Sequence, residues 1–107
     1  MSNEYDAVRH VLSAPRLAAR TSPYIGEDDF DFTGLRREAE TMSGGEQLLV
    51  RIADELWSAE KRAGFWELVR RLDVEYFERV LEGLRIARGT YAWNPVAVFV
   101  VDPRLAA

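Results

Sequence analysis

Cysteine is absent from the sequence, histidine and lysine occur once each, and no apolar stretch is long enough to cross a bilayer. Each absence excludes something. Without thiols there are no disulfides, zinc–thiolate sites, iron–sulfur clusters or cysteine nucleophiles, so stability has to come from packing, and the chain suits a reducing compartment. The single histidine, His10, leaves any nucleophile–histidine chemistry dependent on one side chain beside Arg9. A Gly-Lys dipeptide is also missing, which removes the phosphate-binding loop of nucleotide hydrolases. The longest apolar run, residues 96–101, is about a third of the ~20 residues a membrane-spanning helix needs. At the N-terminus, MSNEYDAVRH mixes acids with bases where a secretory signal would be apolar.

What is present fits one small domain over residues 1–107, with 48% apolar and 30% charged residues. The 18 acidic residues outnumber the 14 basic ones, giving a net charge of −4, which supplies no general attraction to a phosphate backbone. All basic residues but Lys61 are arginines, planar donors suited to carboxylates. The expectation from composition is a cytoplasmic protein that needs no cofactor and no metal and stays off membranes.

Periodicity organises the chain into helices. Residues 3–14 place Tyr5, Val8, Val11 and Leu12 on one stripe, with Ser2 or Asn3 as cap and Pro15 as stop. Residues 16–32 lose the period and read as an irregular connection, long for so small a domain. Thr33 is the expected cap of a brief helix carrying Leu35, Ala39 and Met42. A capping box at Ser43 and Glu46 opens a long amphipathic helix through Leu48, Leu49, Ile52, Ala53, Leu56 and Trp57, with Gly64 as its stop. Phe65, Leu68, Val69 and Leu72 form a further stripe. Asp73 then caps a helix to about residue 88, with Val74, Phe77, Val80, Leu81, Leu84 and Ala87 inward and Gly83 allowing close packing. The β-branched run 96–101 reads as a buried strand. Its ladder groups need a partner: a hairpin strand around residues 91–93, the segment near Tyr24 and Ile25, or the same strand of a second chain through Val96, Val98 and Val100. The expected fold is therefore mainly α, four to five helices with one short C-terminal strand and a helical core over residues 43–88.

Two local stretches resemble known families. Met42-Ser43-Gly44-Gly45-Glu46-Gln47 resembles the signature motif of ATP-binding cassette ATPases, a resemblance of six residues in a chain without the companion phosphate loop; the capping box accounts for the same residues. Residues 68–89, followed by a strand, are similar to a winged helix-turn-helix domain. That resemblance implies DNA binding, with Arg70, Arg71, Arg79, Arg85 and Arg88 on phosphates. Against it stand Glu75, Glu78 and Glu82 on the would-be recognition helix, and a short connection at Asp73.

Catalytic chemistry has little to work with. The acids Glu27, Asp28, Asp29 and Asp31 lack the spacing and distal glutamate of a calcium loop. Recognition by surface remains. Trp57 and Trp66 are expected in the core, whereas Trp93 beside Tyr91 is a candidate interface anchor. The acidic, aromatic stretch from Glu27 to Phe32 has the character of a docking motif, with Phe30 and Phe32 as anchors and Asp28 and Asp29 steering encounter with a basic groove; its alternative is a loop pinned to the domain by those two rings. The sequence thus points to a small non-enzymatic protein-interaction or regulatory factor of the kind bacteria and phages use as accessory proteins, self-association through 96–101 being one mode. The alternative is a winged-helix-like DNA-binding regulator.

Overall fold

The computed structural model describes residues 2–89. The expected strand at 96–101, with Val96, Val98 and Val100, lies outside the described residues, as do Tyr91 and Trp93. Among the described residues six α-helices follow one another: α1 Asn3–Leu12, α2 Ala18–Thr21, α3 Phe32–Ala39, α4 Gly44–Ser58, α5 Phe65–Arg71 and α6 Val74–Arg88. The protein is mainly helical. Its core is α1 held between α4 and α6, with α3 against α4.

Local chemistry sets the helix starts. The Ser2 hydroxyl accepts the Tyr5 N–H at 3.1 Å, and Glu4 and Asp6 in the first turn face Arg9 and His10 in the last, both favourable to the helix dipole. At α4 the Ser43 hydroxyl accepts the Glu46 N–H at 3.3 Å while the Glu46 carboxylate accepts the Ser43 N–H at 3.0 Å. The capping box is formed as its spacing implies. Asp73 caps α6 through the Tyr76 N–H at 2.8 Å.

Three boundaries differ from expectation. Asp31, not Thr33, caps α3, because its carboxylate takes the Gly34 N–H at 2.9 Å. The long helix ends at Ser58, where Ala59 adopts a left-handed conformation at φ 64°. Glu55 then folds the chain back, its carboxylate accepting the N–H groups of Arg62 and Ala63 at 2.8 and 3.0 Å. Gly64 stops nothing; it precedes α5, and its N–H is received by Glu67 at 3.2 Å. The connection 16–32 is also more regular than its composition implies. It holds α2, a 3-10 turn at Ser22–Tyr24 and an antiparallel bridge between Ile25 and Phe30. Buried Thr21 ties it down by donating to the Leu12 carbonyl at 2.6 Å. The bridge uses the Gly26 N–H on Asp29 at 2.8 Å and the Tyr24 carbonyl for Asp31 at 2.9 Å, so these groups are already satisfied and do not offer a ladder to another strand.

The largest difference is the rotation of α6. Tyr76, Val80 and Gly83 are buried, while Val74 is 80% exposed and Leu84 is also exposed. The cause is the close approach of α1: a Cβ on Gly83 would sit 2.7 Å from Val11 Cγ2. Seating that glycine on α1 turns the second apolar line of α6, Val74, Phe77, Leu81 and Leu84, away from it. Polar contacts lock the same crossing. The Arg79 guanidinium donates to the terminal carbonyls of α1, His10 at 2.8 Å and Ser13 at 3.2 Å, His10 Nε2 lies 2.8 Å from Glu82, and the Tyr76 hydroxyl donates to Pro15 at 3.2 Å.

Two tests follow from this packing. Gly83→Ala gains about 1 kcal/mol of helix propensity but drives a methyl into a stiff β-branched neighbour, at a cost of about 1–3 kcal/mol. Urea unfolding is expected to show net destabilisation, and Val11→Ala combined with Gly83→Ala is expected to lose less than the two single changes added together. A Gly83→Ala chain more stable than the wild type would contradict the close crossing. The second test concerns Glu38, whose carboxyl is held below its usual range first by the bond from Arg20 and then by the Tyr24 hydroxyl. A depressed folded value means that stability is present above the unfolded value of about 4.3 and is lost as pH falls through the folded one. Between pH 5 and 3 the urea midpoint of Glu38→Gln should therefore decline less steeply than that of the wild type.

Candidate functional site

Most charged side chains are occupied within the fold. Asp54 is buried on α4 and receives Arg36, whose guanidinium nitrogens lie 3.0 and 2.9 Å from one carboxylate oxygen, with Arg62 at 3.6 Å. Arg51 reaches from α4 to Glu67 on α5 at 2.7 Å and to the Arg62 carbonyl at 3.0 Å. That bond is the main cause that holds the Glu67 carboxyl below its usual range. A shallow depression of about 350 Å³ lies beside Arg36, Arg51 and Arg62. Its three guanidiniums already face carboxylates, so it is a staple between α3, α4 and α5. Among the described residues no group of three or more His, Asp or Glu side chains is placed to hold a metal ion.

The acidic, aromatic stretch divides into two parts. Phe30 and Phe32 are 7% and 8% exposed and belong to the core. Phe30 stacks on Tyr5 at 4.9 Å between ring centroids and meets Trp57 edge-on at 5.0 Å; Phe32 lies 5.8 Å from Phe30. These rings pin the turn to the domain, which corrects their expected role as docking anchors: almost no ring surface is left for a partner. The Tyr5 hydroxyl fastens the same turn by donating to the Gly26 carbonyl. Asp28 and Asp29 remain exposed at its tip, with Asp29 accepting the Phe30 N–H at 2.8 Å. Trp57 packs on the core as expected. Trp66 does not: it is 68% exposed.

Four of the arginines proposed for DNA fall into two pairs. Arg70 and Arg71 end α5, beside the start of α6, whereas Arg85 and Arg88 lie in its last turn. A fifteen-residue helix separates them by about 20 Å. Glu75, Glu78 and Glu82 lie on the helix between the pairs, so no continuous basic face connects them.

What the fold leaves exposed is apolar. Phe65 is 88% exposed, and with Trp66, Val69 and Val74 it makes a patch along α5 and the start of α6. Of the stripe along α5 and its C-terminal cap, Leu68 and Leu72 pack against the core, whereas Phe65 and Val69 are exposed. On the outer side Arg70 lies over the Trp66 ring, 4.2 Å from its centroid. On the inner side, α4, α5 and α6 enclose an open groove of about 450 Å³ walled by Ile52, Leu56, Phe65, Leu68, Val80 and Leu84, with Glu55 and Lys61 among its lining residues. An exposed apolar patch of this kind marks a contact site more often than a solvated face. Periodicity places Phe65, Val69 and Val74 on core-facing stripes, and Trp66 is expected in the core although it lies outside the cleanest stripe; the structure exposes all four. The available signal was that Trp66 falls off the stripe of a helix only seven residues long.

The chain matches no protein-family model, no curated protein and no solved structure. No helix among the described residues is long and apolar enough to cross a membrane.

Removing the Phe30 ring is expected to cost about 3–5 kcal/mol of stability, the usual range for a buried phenylalanine. Guanidinium unfolding of Phe30→Ala beside Asp28→Asn measures it. Asp28→Asn should shift stability by less than about 0.5 kcal/mol, and a Phe30→Ala chain as stable as the wild type would return the ring to the list of surface anchors.

Proposed function

We propose that the protein is a small, non-enzymatic, cytoplasmic interaction module that holds another protein through the outer face of α5. The observation that carries this reading is the exposure of Trp66 and Val69 beside Arg70, whose guanidinium lies over the Trp66 ring. Tryptophan and arginine are the residue types most enriched at interface hot spots. Stacking on Arg70 limits the freedom of the indole and of the guanidinium alike, so less entropy is lost on association.

Charge selects the partner's chemistry. Beside an apolar centre the rim carries Arg70, which fits a protein segment presenting an apolar side chain next to a carboxylate. The acidic tip at Asp28 and Asp29 belongs to a different element and is not needed for this contact. The separation of the arginine pairs, with glutamates between them, counts against a DNA-binding role.

Affinity capture from a lysate of the cells that make the protein tests the reading, with and without nuclease. A stoichiometric protein partner should survive nuclease, and Trp66→Ala should weaken it by about 2 kcal/mol or more, roughly thirtyfold, while leaving stability within about 0.5 kcal/mol. Binding should also weaken with added salt because the rim is charged. Capture unaffected by Trp66→Ala together with Val69→Ser would dismiss the α5 surface. Recovery of DNA, lost when Arg70, Arg71, Arg85 and Arg88 are replaced, would favour the winged-helix alternative.

A further inference from the structure

We propose that the groove between α4, α5 and α6 is the seat of the chain's own C-terminal apolar segment, residues 96–101. The inference is independent of the partner surface, since the groove lies on the opposite edge of α5 from Trp66 and Arg70.

Three observations carry it. The groove is walled by aliphatic and aromatic side chains that the core leaves unfinished: Leu56 and Leu68 are only partly buried, Leu84 is exposed, and Phe65 almost fully so. The longest apolar run of the sequence, VAVFVV at residues 96–101, lies outside the described residues. Its point of attachment is on the groove's own wall. α6 supplies Val80 and Leu84 to the lining and ends at Gly89, whose left-handed φ of 89° stops the helix. Leu84 lies about 7.5 Å back along the axis from Gly89, and the residues from Gly89 to Val96 span up to about 23 Å when extended.

Attachment also decides between occupants. A segment tethered a few residues from its site acts at an effective concentration in the millimolar range, well above what a second copy reaches in dilute solution. The rival is a second chain laid along the outward line Val74, Phe77, Leu81 and Leu84, whose spacing of three and four residues is that of a helix-pairing seam. Seating the tail in its own groove would cover Leu84, the end of that line, and so oppose pairing.

The absence of cysteine allows a direct test in the full chain. Phe65→Cys with Val98→Cys places one thiol on the lip of the groove and one in the segment; Glu4→Cys with Val98→Cys puts the first thiol at the exposed start of α1, a helix whose Asn3 lies close to Gly89. Both pairs are oxidised at low micromolar concentration and resolved by intact mass and non-reducing electrophoresis. The expected result is an intrachain disulfide formed at least about tenfold faster in the Phe65 pair. Equal rates in the two pairs would overturn the proposal, because an unseated tail has no preference for the groove. Predominant interchain disulfide would overturn it in favour of a second copy, and failure of the Phe65 pair to close would overturn it outright. Circular dichroism confirms that each variant is folded; if Phe65→Cys is not, Lys61→Cys, also in the groove lining, replaces it with the same expected and overturning outcomes.

Discussion

The crossing of α1 over α6 at Gly83 is the constraint on which the rest of the structure depends. Bringing Val11 against a residue without a side chain draws the two helices closer than any other pair of side chains there would permit. The contacts that decorate the crossing are consequences of it. At this crossing the Arg79 guanidinium reaches the carbonyls of His10 and Ser13 at the end of α1, and the Tyr76 hydroxyl reaches Pro15. The same seating fixes which face of α6 is left over. The open groove and the exposed Val74 and Leu84 are thus the reverse side of a well-packed interface.

Arginine serves this fold largely as an internal fastener. Arg20 joins α2 to Glu38 of α3, Arg36 joins α3 to buried Asp54 of α4, Arg51 joins α4 to Glu67 of α5, and Arg79 joins α6 to α1. Each link uses a planar donor that satisfies a carboxylate or a helix end with directional bonds, which a lysine cannot reproduce. For Asp54 the pairing is obligatory, since a buried carboxylate without a cation beside it would cost several kcal/mol. Arg70 is used differently: its guanidinium lies over the exposed Trp66 ring on the outside of the fold.

Features that depend on a few neighbouring residues were legible in the sequence. The caps at Ser2, Ser43 and Asp73 are formed as their spacing implies, and the helical class and the close approach at Gly83 follow from periodicity and residue size. Features decided by distant partners were not. Phe30 looks like a docking anchor until Tyr5 and Trp57, far away in the chain, are seen to sandwich it. Val74 belongs to an apolar stripe as good as that of Val80, and only the arrival of α1 selects between them. Gly64 resembles a helix stop, but Glu55 had already turned the chain by capturing two amides of the loop. The candidate surface was missed for the same reason: an apolar side chain at helical spacing is indistinguishable from core until the supply of inward-facing positions is known.

The pairing of the first long helix with the last also sets an order of events during synthesis. His10 and Glu82, which meet across the crossing, are 72 residues apart. At about 5–20 residues per second the ribosome adds the second on the order of 4 to 14 seconds after the first. Throughout that interval α1 has no α6 to lie against, and its apolar stripe has only the turn carrying Phe30, and then α4, for shelter as these emerge. The α1–α6 part of the core is therefore completed last, when nearly all of the described helices have left the ribosome.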